Sequence, residues 1–124
     1  MRTFIFCVVL VLGLAACGGG AESTIAFANL PESGNAINGE ALFASQRCTA
    51  CHNEGASGAP TLENFGEYAG SVVAGQTARE YAFYSIVEPA QHIAEGYGNA
   101  MPNNYDESMT AQEIADLVTY LLRQ

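Results

Sequence analysis

Lysine is absent from this chain of 124 residues, and so is tryptophan. Its four basic residues are all arginines, set against 13 Asp and Glu for a formal charge of −9. Without a basic patch nothing offsets repulsion from phosphates, so nucleic acid is excluded as a partner. Also missing is any apolar run near the about 20 residues that a membrane-spanning helix needs. No convincing set of strands and no internal repeat is seen. Apolar residues, by contrast, make up 49% of the chain, too many for a disordered acidic chain, which cannot bury enough surface to fold. The length allows one domain, or one domain plus a tail. The 13 glycines point to loops or to close approaches of backbone.

The longest apolar run is Phe4 to Ala16, behind Met1-Arg2. Its length and flanks fit the core of an export signal rather than a span. It ends Leu14-Ala15-Ala16-Cys17, which resembles a bacterial lipobox. That resemblance implies cleavage after residue 16, lipid on the Cys17 sulfur and an anchored protein on the periplasmic side of the cell envelope. The competing reading is an ordinary cleavage site with an incidental cysteine. Cys7 would leave with the leader. Removing residues 1–16 leaves three Arg against all 13 acids, a formal charge of −10. From Gly18 to Gly34 no helical periodicity is sustained, and residues 17–34 are expected to be a lipidated cysteine and a tether. Within it, Ile25-Ala26-Phe27 is apolar enough to pack on the domain instead. Residues 35–124 are the expected domain, short for a self-sufficient core, so something else is expected to complete it.

Cys48-Thr49-Ala50-Cys51-His52 is C-x-x-C-H, the attachment pattern of haem c. Two cysteines at this spacing can each form a thioether with one haem vinyl group. The next histidine is then held beneath the iron as proximal ligand. Three other readings compete. A structural zinc site needs four ligands, and besides these residues the chain after the leader offers Cys17 and His92. A thioredoxin-like pair wants a βαβ context, and a plain disulfide needs nothing more. Export favours haem, because c-type attachment takes place outside the cytoplasm.

Three helices are legible. Asn35 can cap one over residues 36–49, with Ile37, Leu42 and Phe43 apolar and Gly39 at its centre. A helical glycine costs about 1 kcal/mol relative to alanine, which suggests that another backbone passes close to Gly39. Thr77-Ala78-Arg79-Glu80 is a capping box opening a helix to about Val87, stopped by Pro89, with Tyr81, Tyr84, Ile86 and Val87 on one face. Thr110-Ala111-Gln112-Glu113 opens a terminal helix to about Arg123, with Ile114, Leu117, Val118 and Leu121 at i, i+3, i+4 and i+7. The class is all-α.

An iron held by His52 needs a partner on its other face, unless that face is left open for chemistry. Met101 is the first candidate: it precedes Pro102 in Gly96–Asn104, a loop rich in Gly and Asn that can wrap a haem. A His/Met pair raises the iron's potential. Met109, one residue before the last helix's cap, is the second candidate, more simply read as a packing residue. His92, after Pro89, is the third, more simply a solvated side chain.

Taken together, CTACH, the Gly39/Phe43 helix, GNAMP and the terminal ADLVTYLL resemble a class I monohaem cytochrome c over residues 35–124. The resemblance implies three to four helices and loops wrapped around one covalent haem. It implies that the first and last helices cross, with Gly39 and Phe43 meeting Leu117 and Tyr120. It also implies that Pro60 offers its carbonyl to the free ring N–H of His52, a contact that orients a ligand and raises its basicity. Here the interval from His52 to Pro60 is short, and Ala59 stands where the family has a glycine. The stretch Tyr84–Pro102 is similar to cytochrome domains fused to, or associated with, bacterial oxidase subunit II.

The function expected is single-electron transfer by a membrane-anchored haem carrier between respiratory complexes, with no catalytic residue and no small-molecule substrate. Its redox partners are expected to present basic docking surfaces to this acidic protein. One alternative is a fixed cytochrome subunit of a quinol-oxidising or terminal oxidase complex. Another is a haem enzyme or gas sensor with an open distal site, which requires that Met101 not bind.

Overall fold

The computed structural model describes residues 23–124, and five α-helices with three short 3-10 turns account for its regular structure. Among the described residues there is no strand and no helix long and apolar enough to cross a membrane. The fold is all-α. The expected leader, residues 1–16, and Cys17 lie outside the described residues.

Helix α1 spans Ala36–Ser45, and the Asn35 side chain accepts the N–H groups of Ile37 at 2.9 Å and Asn38 at 3.4 Å. It stops four residues short of the expected end. Arg47 adopts φ +64°, a left-handed conformation that breaks the helical ladder, and the chain restarts as a 3-10 turn, Cys48–Ala50. Helix α2, Phe65–Val72, has no counterpart in the sequence reading. It follows Asn64 at φ +57° and buries Phe65 and Ala69, one turn apart.

Helix α3 is Ala78–Val87, with both halves of the Thr77/Glu80 capping box formed. Its buried face is Ala82, Phe83, Ile86 and Val87, whereas Tyr81 and Tyr84 are half-buried. The expected face is therefore corrected. The helix has apolar neighbours on more than one side, and Phe83 takes the deepest place. A single turn, α4 (Tyr105–Ser108), precedes α5 (Ala111–Leu121), which opens on the Thr110/Glu113 box and buries all four expected apolar positions.

Helices α1 and α5 pack closely, and glycine sets their separation. A Cβ on Gly39 would lie 2.2 Å from the Asp116 carbonyl oxygen and 2.6 Å from the Tyr120 Cβ. No side chain fits there, so the cost of Gly39 within a helix is repaid by contact of backbone with backbone. Beside it the Phe43 and Tyr120 rings meet with centroids 5.4 Å apart, and Leu117 is buried. Asp116 ties the same junction: its carboxylate accepts from the Asn35 N–H at 2.7 Å, from Gln112 at 2.9 Å and from Asn38 at 3.2 Å. Burial acts to raise this carboxyl, but these bonds outweigh it and hold the group below the usual carboxylate range.

Residues 23–34, expected to belong to a tether, pack on the domain. Phe27, in a 3-10 turn over Phe27–Asn29, lies 5.4 Å from the Phe83 ring and 6.2 Å from Tyr84. The Arg79 guanidinium stacks over Phe27 at 5.2 Å and donates to the Pro31 carbonyl. Leu30 is buried, and Gly34 lies against the Ala115 carbonyl. The segment is a strap across α3 and α5.

Candidate functional site

A cavity of about 430 Å³ opens where the C-x-x-C-H turn, α2, α3 and the loop before α4 come together. Cys48, Cys51, His52 and Pro60 enter it from the segment after α1. The 3-10 turn over Cys48–Ala50 makes the cysteines neighbours: the Cys48 carbonyl accepts from the N–H of Cys51 at 3.2 Å and of His52 at 2.9 Å. Three residues thus form one compact presenting surface.

The His52 Nδ1 lies 2.9 Å from the Pro60 carbonyl oxygen. A carbonyl can only accept, so Nδ1 carries the proton and Nε2 keeps its lone pair for a metal. The shorter interval and Ala59 do not prevent the contact. Because that oxygen belongs to a backbone braced by a proline, the ring has little freedom to turn.

Phe65 and Tyr81 stack at 5.9 Å within the lining, and Tyr68 closes on Phe65 edge-on at 5.5 Å. Partial burial pushes the phenols of Tyr68 and Tyr105 up, Tyr81 adding to the first and the two cysteines to the second. The cavity is thus largely apolar and aromatic, lined also by Leu62, Ile93 and Tyr97.

Of the three candidates for an opposing ligand, Met101 and His92 line the cavity, and Met109 does not. Met109 is 5% exposed in the hydrophobic core, covering α5. His92 is exposed and sits edge-on to Tyr81 at 5.7 Å. Met101 is half-buried, in the loop between the Pro89–Gln91 turn and α4.

Cys48 and Cys51 are not bonded to each other. Burial pushes the Cys48 thiol up, with Cys51 adding to the rise against a backbone hydrogen bond that lowers it, the reverse of what a reactive thiolate pair needs. Among the described residues, no three His, Cys, Asp or Glu side chains gather to hold a metal ion as a zinc site would require. What the site offers is two thiols, one oriented imidazole and an apolar slot.

The family model for cytochrome c matches residues 36–124. The chain belongs to the cytochrome c family. Its cofactor is haem c, bound covalently, and Cys48 and Cys51 stand at the spacing that attachment requires. The cytochrome's cavity fits that group on its own terms: it is apolar, in the size range of cofactor sites, and bounded by both thiols and a histidine with a free Nε2. Members of this family are in general electron carriers. No curated protein matches the chain significantly. The same is true of solved structures.

Sequence reasoning missed the aromatic lining. Phe65 and Tyr68 belong to the helix it did not see, and it counts Tyr81 only as one apolar position on a face of α3. A period of three to four among Phe65, Tyr68 and Ala69 was the available signal.

Proposed function

We propose that this cytochrome is a lipid-anchored single-electron carrier, with His52 and Met101 as the two axial ligands of its haem. The observation that carries the reading is that one cavity takes both His52, its Nδ1 held by Pro60, and Met101. The haem, when bound, would supply a one-electron couple between ferrous and ferric iron. The protein's own residues do the rest. Cys48 and Cys51 would hold the macrocycle at two points, and His52 presents Nε2 in a fixed orientation. Phe65 and Tyr81 exclude water from one part of the slot. With His52 and Met101 both holding the iron, no position would be left for a substrate, and the soft thioether would raise the potential. Tyr68, Ile93 and Tyr97, three of the four large hydrophobic side chains that are exposed among the described residues, line this cavity. They offer a partner an apolar rim around the haem edge.

The anchor at Cys17, export to the periplasmic side of the envelope and basic redox partners complete the reading. They rest on the lipobox-like sequence and on the formal charge of −10 left after residue 16. A second form of the same activity is a fixed subunit of an oxidase or quinol-oxidising complex, a reading that rests on the sequence resemblance of Tyr84–Pro102 alone. Co-purification of stoichiometric partners in mild detergent would select it.

The deciding experiment is Met101→Ala. The oxidised protein is expected to lose the weak thioether-to-iron band at the red edge of its spectrum, drop in potential and bind carbon monoxide once reduced. Met109→Ala is expected to do none of these. If carbon monoxide binds the reduced wild type freely and Met101→Ala changes no spectrum, the closed electron-carrier reading fails.

A further inference from the structure

The loop that carries Met101 has little to hold it. Among the described residues, the hydrogen bonds made by residues 92–104 stay within residues 94–107: Tyr97 to Ala94, Ala100 to Gly98 and Glu107 to Asn104. Apart from Ala94 and Met101 the segment is exposed. Its position depends on its two ends. One is the turn containing buried Pro89. The other is α4, a single turn whose Asn104 cap makes no side-chain bond. An isolated turn is not stable alone, because nucleating it costs more than its few bonds return. Something outside must fix α4.

Tyr105 packs against the core, and a second support comes from 82 residues away. The Thr24 backbone N–H donates to the Asp106 carboxylate at 2.6 Å, and the Thr24 hydroxyl lies 3.1 Å from the same oxygen and 3.2 Å from the Asp106 carbonyl. Asp106 is 8% exposed. The strap is itself held by Phe27, Leu30 and Arg79, so Thr24 is a fixed point rather than a loose end.

We propose that the N-terminal strap buttresses the wall of the haem cavity that carries Met101, with Asp106 as the positioning residue through which Thr24 holds α4 and the loop. This rests, for its ligand-exchange consequence, on Met101 being the iron's ligand. An opening of the loop that carries α4 with it must then break a part-buried, charge-assisted contact, so Thr24 and Asp106 set how often Met101 leaves.

The test uses the full-length haem-loaded protein, comparing Asp106→Ala, Asp106→Asn, Thr24→Val and Asp116→Ala with the parent. Two quantities are read: the rate at which imidazole enters the oxidised iron, and amide hydrogen exchange in residues 92–104 against that in α1 and α5. Asp106→Ala is expected to admit imidazole about ten- to a hundredfold faster, the range for losing a hydrogen bond to a charged group. Exchange should rise in 92–104 while α1 and α5 keep their protection. Asp106→Asn, which keeps an acceptor oxygen, should recover most of the difference, and Thr24→Val should show a smaller effect of the same kind. Asp116→Ala should loosen α1 and α5 instead. If Asp106→Ala raises exchange equally everywhere, or leaves 92–104 as protected as before, the buttress is overturned. Should Asp106→Ala not fold, Thr24→Val decides by the same two readings. If Met101→Ala in the parent leaves the red-edge band intact, the ligand assignment fails, and the exchange data alone then decide the buttress.

Discussion

Two helical glycines of this protein should respond to the same substitution with opposite signs. Gly39→Ala removes a backbone liability worth about 1 kcal/mol in a helix. It also places a methyl group 2.2 Å from the Asp116 carbonyl oxygen and 2.6 Å from the Tyr120 Cβ. Neither atom can swing aside, so α1 and α5 must separate by more than an ångström. That separation disturbs the three hydrogen bonds of Asp116 and the contact of Phe43 with Tyr120. Overpacking of this kind costs about 1–3 kcal/mol, occasionally more, and here no flexible side chain can absorb it. A net loss of about 2 kcal/mol is expected. In α2, an added Cβ on Gly70 would lie 3.5 Å from the Ala78 nitrogen and 3.6 Å from its Cβ, ordinary contact distances. Gly70→Ala should therefore stabilise by about 0.5–1 kcal/mol through propensity and a less flexible unfolded chain. Urea titration of the haem-loaded proteins, followed by far-ultraviolet circular dichroism, separates the two. With a slope near 1 kcal/mol per molar, typical of a small domain, the midpoints should move in opposite directions by about 2 M and 0.5–1 M. Stabilisation by Gly39→Ala would refute the account of the helix crossing.

Replacing Cys17 by Ser should move the protein from the membrane to the soluble envelope fraction with its haem spectrum unchanged, since stable attachment takes two lipid signals or more. Retention after a high-salt wash would refute the anchor. Electron transfer to a cationic partner should slow as salt rises, because attraction between opposite charges steers the encounter. A rate that climbs with salt would mean that apolar contact at the cavity rim dominates. Acid should act through Asp116, whose folded carboxyl is held below its unfolded value by its three donors. Its contribution is therefore present above the unfolded value near pH 4 and lost as pH falls through the lower folded one. Asp116→Asn should be less stable at pH 7 and show a flatter loss of stability below pH 4 in acid titrations. An unchanged acid profile would contradict that.

What could be read from the sequence was what is local or what chemistry forces into a fixed spacing. The Thr77 and Thr110 capping boxes announce their helices within four residues, and C-x-x-C-H announces its cofactor within five. Gly39 was legible because a glycine inside a good helix needs a reason. Helix α2 was not, since it begins after a left-handed Asn64 with no side-chain cap and carries Gly66 and Gly70. Arg47 was not, because nothing in its type forecasts φ +64°. The strap was hidden for a different reason. Thr24 is an ordinary threonine in a stretch without periodicity, and its partner Asp106 lies 82 residues further on. Among the candidate ligands, sequence ranked Met101 above Met109 by loop composition, and burial separates them by placing Met109 in the core.

Three glycines, Gly34, Gly39 and Gly66, lie against carbonyls of Ala115, Asp116 and Leu122, and the Gly66 N–H donates to the Gln124 carbonyl. Helix α5 and the three residues after it are thus the surface on which both the start and the middle of the domain are seated. A chain emerges N-terminus first, so α1 has no partner until α5, more than 60 residues further on, has emerged. Joining ends about 80 residues apart costs on the order of 4 kcal/mol in loop entropy, about twice the cost for ten residues. Cys48, Cys51 and His52 are delivered long before that closure. Between the two, the polypeptide presents its attachment motif on an open chain, accessible to whatever joins the haem, and residues 111–124 are the ones that shut the fold around it.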